Sequence, residues 1–460
     1  MKHTFVIIIL GLLLLPLSAE QLITLSGSIE LAKQQNKALM HAREEVGVYR
    51  QEYNNIRGNL FPQISLSGGY QYSHSRLPKA ALPQLPSLVD MLDNAATAND
   101  SLIAGYIDDG FGAFVPSRES GDHTLAGTIS LSQVIFMGGK LINGINIAGK
   151  LYTLQEKRFW LEEQNLIFQT IDLYYKTKLA GEMAEIQEEA LAFANMYFAQ
   201  VSIMYEEGLV SEYDLLRSEL EVKKLEPQVM EAQKNFKLAK ENFANHLNLE
   251  SSDIILIDDI DLPEFIETDL SEALQTALQQ RMELELSQIG VDVNKVTLRY
   301  EKGNFLPNIG ISADYTFYGA DEDKIERDDW GSSYQIGIGF SMPLFTGLSN
   351  SSKIKKARHK LKQAELNHRT LQEMIELDVK NAYLQLEADL QKLEVQTKNV
   401  ELATKGMQIA NARYENYLSN QLEVIDAQLQ LKTAKLSLLN ARYNAALSNE
   451  RLKKAIGFEL

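Results

Sequence analysis

The chain is duplicated. Phe136 matches Phe345, a separation of 345 − 136 = 209, and that separation then holds without a gap almost to the C-terminus. It pairs Gly138 with Gly347, Ala148 with Ala357, Tyr174 with Tyr383, Tyr205 with Tyr414, Leu220 with Leu429 and Asn235 with Asn444. Upstream, the run from Arg57 to Ile64 (RGNLFPQI) matches Lys302 to Ile309 (KGNFLPNI) at a separation of 307 − 62 = 245. Repeat one therefore carries 245 − 209 = 36 extra residues between the two anchors. Whatever one repeat folds into, the other must fold into in the same element order, and this removes most architectures from consideration.

Each repeat opens on a helical pattern. Over residues 26–56, Ile29, Leu31, Ala32, Ala38 and Leu39 share one side, and Gly58 and Pro62 end the run; residues 270–302 are the second copy. Alternation follows. Ile64, Leu66, Tyr70 and Tyr72 face one way and Ser65, Ser67, Gln71 and Ser73 the other, predicting strands at 63–74 and 124–136 in repeat one and at 308–318 and 333–344 in repeat two. Strands of about ten residues, apolar and aromatic on one face and small and polar on the other, suit an outer-membrane barrel, although a soluble sandwich gives the same alternation. An open sheet edge is forbidden in lipid, so four strands that span a membrane must share a barrel with other protomers.

The 36 extra residues fall in a loop over 75–123 that holds Pro78, Pro83, Pro86 and Pro116, with Leu88–Ala98 compatible with a short helix. Its counterpart, Gly319–Gly331, is short and dense in charge. Both belong on the outer side if the strands span a membrane. Glycine turns at Gly138-Gly139 and Gly347 then lead into helical hairpins over 140–248 and 351–456. The sequence Gly138-Gly-Lys140 lacks the upstream glycine and following Ser/Thr of a phosphate loop, and reads as a strand-to-helix turn. In repeat two Tyr383, Leu390, Thr397, Thr404 and Asn411 recur every seven residues, interleaved with Leu386, Leu393, Val400, Met407 and Tyr414. A proline-free run from Ser351 to Tyr414 would make a helix of roughly 100 Å, returning through Leu422, Ile425, Leu429, Leu436 and Leu439 as an antiparallel coiled coil. Pro227, inside the matching return helix of repeat one, is expected to bend or break it. Residues 251–269 read as a linker packed on the outside.

Composition narrows the function classes. Lys2-His3, the apolar run Phe5–Leu15 and Ser18-Ala19 read as a signal peptide over 1–19, and no other stretch approaches a membrane helix. Cysteine is absent, so there is neither a disulfide nor a thiol to acylate. A net charge of −17 argues against nucleic acid. Seven scattered histidines and no nucleophile or metal-spaced cluster argue against an enzyme, and no cofactor is called for.

The element order, its duplication and the Gly-Asn-x-x-Pro ahead of each strand pair resemble the TolC family of outer-membrane channels over nearly the whole mature chain, and the lack of cysteine resembles its non-lipidated branch. The resemblance implies a homotrimer: a shared 12-stranded outer-membrane β-barrel, continued by an α-helical coiled-coil barrel across the periplasm. It implies a passive exit duct in an efflux or type I secretion assembly, with a periplasmic adaptor and an inner-membrane transporter as partners and outer-membrane lipid around it. At the hairpin tips it implies that Tyr414 bonds Asp214 of the neighbouring hairpin, with Tyr213 and Ser419 among the gate contacts. Glu423 and Asp426 would form an acidic ring at the constriction, and Gly208, Leu209, Ser211 and Leu418 would meet the adaptor. Ser419 replaces the arginine of the family's closed-gate network, and one ring position is Glu rather than Asp. Independently of any family, Glu423 and Asp426 lie three apart and share a helix face. The competing readings are a periplasmic coiled-coil adaptor, which carries one hairpin rather than two, and an exported structural coiled coil, which has no use for strand pairs.

Overall fold

A computed structural model of the chain describes residues 21–73, 123–249, 254–256, 265, 268–321, 325–416, 418–419 and 421–458. The signal segment 1–19, all but His123 of the 75–123 loop with its short helix, and most of the 251–269 linker lie outside the described residues.

Repeat one comprises β1 (Gln21–Ile23), α1 (Leu25–Gln35), α2 (Lys37–Gly58), β2 (Gln63–Tyr72), β3 (His123–Met137), α3 (Lys140–Glu206) and α4 (Glu212–Leu247). After β4 (Ile254–Leu256), repeat two comprises α5 (Leu270–Gln280), α6 (Met282–Lys302), β5 (Asn308–Asp321), β6 (Trp330–Ser341), α7 (Ser349–Glu415) and α8 (Gln421–Ile456). The chain divides into two compact units, one of strands and one of helices.

The strand unit covers Asn54–Asn146 and Val296–Ala357. Its four strands form one antiparallel sheet in the order β2-β3-β5-β6, so β2 and β6 are open edges. The duplication extends to the register: Ile64 faces Leu131 in repeat one, and their equivalents Ile309 and Phe340 face each other in repeat two. β6 stops at Ser341, short of the expected 344, because Pro343 has no N–H to give a ladder. β5 runs on to Asp321, so its hairpin loop is tighter than expected and holds a 3-10 turn at Arg327–Asp329. Every residue of β2 is exposed, and on β6 the apolar Ile336 and Ile338 are 74% and 75% exposed. No described element covers these side chains, whereas a soluble sandwich would lay a second sheet on them. Thr128 and Thr316, from the polar set, join hydroxyl to hydroxyl at 3.0 Å.

The helical unit covers Met1–Tyr53, Ile147–Lys295 and Arg358–Leu460. Its core clusters alternate between the repeats: Tyr174, Phe243 and Leu247 pack with Ala32 and Leu39 of α1 and α2, and Ile375, Val379 and Leu452 with Ala273 and Ala277 of α5. Each short N-terminal helix thus stacks on the end of a return helix. Truncating a buried ring such as Phe243 to Ala costs about 3–5 kcal/mol.

Three sequence expectations change. The helices predicted over 26–56 and 270–302 are each broken, at Asn36 and at its repeat equivalent Arg281. Asn36 closes α1 through its own N–H to Ala32, and its side-chain oxygen then accepts from the N–H groups of Ala38 (2.9 Å) and Leu39 (3.2 Å), capping α2. Arg281 is drawn instead to Glu283 and Asp378, both at 2.9 Å, and to the carbonyl of Ala455 at 3.0 Å. Secondly, α4 continues through Pro227. Val222, Leu225 and Val229 hold the opposite face in the core, and Pro227 is exposed, so the carbonyl it leaves without a donor is on the side open to water. Thirdly, the linker contributes a strand: β4 pairs in parallel with β1, Leu22 opposite Ile255.

Candidate functional site at the hairpin tips

α3 ends because Gly208 adopts φ +70°, a left-handed conformation that an L side chain resists. The Leu209 N–H then closes on the Met204 carbonyl at 2.8 Å, and its equivalent in repeat two, Leu418 N–H to Arg413 carbonyl, has the same 2.8 Å. The two turns share a backbone and differ in side chains. In repeat one Ser211 caps α4: its hydroxyl accepts from the Asp214 N–H at 3.2 Å, and the Asp214 carboxylate accepts from the Ser211 hydroxyl (2.6 Å) and N–H (3.2 Å). In repeat two the residue equivalent to Asp214 is Glu423, and it reaches across its own hairpin to Arg413 Nε at 3.1 Å. Arg413 also donates to the Leu418 carbonyl at 3.4 Å.

Tyr414 packs in the tip core with Val201, Met407, Ala410 and Val424. Its ring centre is 5.6 Å from that of Tyr197, and its hydroxyl points at the Met204 sulfur, 3.9 Å away. Burial, and then the Tyr414 hydroxyl beside it, push the Tyr197 hydroxyl well above the usual phenol range. Farther along α8, Lys432 is buried and donates to Gln228 Oε1 at 3.0 Å and Gln187 Oε1 at 3.5 Å, tying the second hairpin to both helices of the first. Burial holds its pKa below the ordinary lysine value. Lys435 adds a link to Glu189 at 2.7 Å, and Tyr443 one to Asp172 at 2.8 Å.

Within the chain the expected pair of Tyr414 and Asp214 is not brought together in a hydrogen bond: Asp214 is engaged with Ser211, and Tyr414 lies against Met204. The connection that does cross at this level is from Gln421 Nε2 to the Asp214 carbonyl, at 3.5 Å. Glu423 and Asp426 do line one groove of the hairpin, together with Gly406, Ile409 and Gln430. They are not alike, because Arg413 offsets Glu423 whereas Asp426 is exposed and makes no ion pair with a described residue. The hydroxyl of Ser419 is buried without a partner among the described residues. Leu209 and Leu418, at equivalent positions, project from the tips 62% and 70% exposed, beside exposed Gly208, Ser211 and Tyr213. Sequence reasoning missed Arg413. Its signal was there, since Met204 occupies the equivalent site opposite Asp214 and a cation opposite Glu423 marks a changed pairing.

Among the described residues no helix is long and apolar enough to cross a membrane. Comparison with known proteins gives a consistent placement. The chain is similar to the outer membrane efflux protein BepC of Brucella suis, 22% identical over 271 residues, which is 58% of each chain; it thus spans little more than half the length of that relative. A structure of CusC superposes with a TM-score of 0.76 at 15% identity, covering 94% of this chain and 92% of that one. VceC from Vibrio cholerae gives 0.73 at 15% identity, over 94% and 96%. The model of the family described as outer membrane efflux protein matches residues 28–248 and 273–458, one match to each repeat, and the chain belongs to that family.

Proposed function

We propose that three copies of this chain form the outer-membrane exit duct of a tripartite efflux pump or type I secretion system, a passive channel gated at its periplasmic tips. The observation that carries this reading is the open sheet. β3 and β5 pair across the repeat boundary, with Ile129 opposite Tyr315. The repeat equivalents of those strands are β6 and β2, the two edges left unpaired in one chain. An edge strand in lipid must be paired. Pairing β6 of one protomer with β2 of the next in the same register sets Ile338 against Tyr70 and closes a barrel of twelve strands in a trimer. A second unsatisfied surface agrees: Leu377, Leu384, Val395, Leu402 and Ile409 recur along α7 on an exposed stripe, separate from the buried Leu386, Leu393 and Met407. A neighbouring hairpin would cover it.

At the tips, the exposed Leu209 and Leu418 with Gly208 and Ser211 offer a periplasmic adaptor an apolar contact, and an inner-membrane transporter would feed the tunnel through it. Asp426, aided by Glu423, lines the constriction. The gate is held by packing around Tyr197 and Tyr414 and by the Gln421 contact, with Asp214 and Ser211 shaping the turn and Tyr213 and Ser419 beside it. A cysteine-free chain fits the non-lipidated branch. The test is ionic conductance of the detergent-extracted protein in planar bilayers. Trimeric protein giving discrete, cation-preferring steps supports the reading; a water-soluble monomer without conductance defeats it.

A further inference from the structure

The strand unit is polarised. At its loop end the described charges are mainly acidic: Asp321, Glu326, Asp328 and Asp329. At its helix end they are mainly basic, with Arg57 closing α2 and Arg299 and Lys302 closing α6 on either side of Glu301. The densest cluster is in α7, where Lys353, Lys355 and Lys356 are all exposed and pair with no described carboxylate. The start of this helix holds no acidic residue in its first turn, although the helix dipole favours one there.

The duplication supplies an internal control. The repeat-one equivalents of these lysines are Gly144, Asn146 and Ile147, and α3 forms over them just as α7 does. The lysines are therefore not needed for the strand-to-helix turn. Immediately before them the chain shows a run of unpartnered apolar side chains: Leu344 is 91% exposed and Phe345 81%, followed by exposed Leu348. Their equivalents Ile135 and Phe136 also stay exposed, Phe136 even though it pairs with Ile309 of β5, so pairing with a neighbouring strand does not by itself cover this level of the sheet. A water-filled lumen would not favour such a ring of Leu and Phe, whereas the edge of a hydrocarbon layer would. An apolar band that ends in a lysine cluster is the arrangement that meets a bilayer's acyl chains and then its anionic headgroups.

We propose that Lys353, Lys355 and Lys356 bind anionic phospholipid headgroups at the helix-side edge of the membrane-facing sheet, fixing the protein's depth in the bilayer. This rests on the reading of the sheet as membrane-spanning. The occupant is a phosphodiester with a net negative charge, such as phosphatidylglycerol, and not a zwitterionic lipid, because three unpaired ammonium groups have no use for a headgroup that carries its own cation.

The full chain, a triple Lys→Gln variant at 353, 355 and 356 and the matching triple Lys→Arg variant would be purified in detergent. Each would be incubated with phosphatidylglycerol or phosphatidylcholine, and retained lipid counted by native mass spectrometry. Wild type is expected to hold roughly threefold more phosphatidylglycerol than phosphatidylcholine; the Gln variant loses that excess and the Arg variant keeps it. Conductance in phosphatidylcholine bilayers should be the same for all three, which shows that each is folded. Equal phosphatidylglycerol retention by wild type and the Gln variant overturns the proposal. Unchanged retention with a shifted ion selectivity overturns it in favour of lysines that face the lumen. Failure of the underlying membrane reading is distinct, since wild type would then retain neither lipid and conduct nothing.

Discussion

Gly138 and Gly303 stand back to back where β3 turns into α3 and α6 turns toward β5. A Cβ added to Gly138 would lie 2.3 Å from the Gly303 carbonyl oxygen, and one added to Gly303 would lie 2.5 Å from the Gly138 oxygen. Gly138 is also left-handed, at φ +61°. Their repeat equivalents, Gly347 and Gly58, each have nothing within 4 Å of an added Cβ in the single chain. Gly347 keeps the same φ of +61° without a neighbour to demand it. The crossing made inside one chain is thus prepared, and unmet, at the two edges.

Gly303→Ala should therefore damage the protomer itself. The new methyl group meets backbone rather than a flexible side chain, and the expected cost is about 2–3 kcal/mol. Gly58→Ala should leave the isolated protomer folded and act on assembly, lowering the fraction of detergent-resistant trimer seen by light scattering. Equal effects of the two substitutions on protomer stability would show that the equivalence between inner and outer crossings does not hold.

The same equivalence gives a register that can be trapped. The chain has no cysteine, so Tyr70→Cys with Ile338→Cys introduces the only two thiols. Facing residues on paired antiparallel strands have Cα atoms about 4.5–5.5 Å apart, within the Cα range a disulfide spans. Oxidation should give covalent dimers and trimers on denaturing gels. Moving one cysteine along its strand, to Gln71, should abolish cross-linking because its side chain turns to the other face.

The duplication, the strand alternation and the hairpin register were legible in the sequence because each repeats over many residues, and a long pattern outweighs local noise. Single-residue events were not. Asn36 and Arg281 break helices whose apolar spacing continues across the break; the cause is a side-chain cap in one case and ion pairs to distant residues in the other. Pro227 does not break its helix, because its exposed position leaves the undonated carbonyl to water. At the tips the pairing within the chain was not legible, since a carboxylate reads the same in sequence whether it caps its own helix, as Asp214 does, or meets a cation, as Glu423 does.

Asp426 and Glu423 should contribute unequally to ion selectivity. With Arg413 Nε at 3.1 Å from Glu423, that pair adds little net charge, and Asp426 carries the field. Reversal potentials across a salt gradient should show Asp426→Asn reducing cation preference roughly twofold and Glu423→Gln changing it less. Arg413→Ala should raise the preference. An exposed pair of this kind is worth at most about 1 kcal/mol, so none of these changes should prevent folding.

Tyr414 acts through its ring rather than its hydroxyl. The hydroxyl meets a sulfur at 3.9 Å, a weak contact, and lies beside the Tyr197 hydroxyl, whereas the ring fills the tip core against Tyr197. Tyr414→Phe should change stability by less than about 0.5 kcal/mol and leave closed-state conductance unchanged. Tyr414→Ala should cost about 3 kcal/mol and raise conductance. A Phe variant that opened the channel as fully as the Ala variant would restore the hydroxyl to the gate.

Lys432 offers a way to stiffen the closed tips. It brings an ammonium group among Phe193, Tyr197, Leu225 and Ile425, with amide oxygens as its bonded partners and Glu221, in the same pocket, offsetting only part of the cost of burial. Replacing a buried charge by an apolar side chain of similar length often stabilises by about 1 kcal/mol or more, so Lys432→Met should raise the unfolding midpoint and lower the open probability. The pH dependence checks the cause. Burial depresses the folded-state pKa below 10.5, so the unfolded chain binds more protons, and wild-type stability should rise as pH increases from the folded pKa toward 10.5. The Met variant should lose that rise. If instead it unfolds at a lower temperature than wild type at every pH, the hydrogen bonds to Gln187 and Gln228 outweigh the burial of the charge, and Lys432 is a net clasp between the hairpins.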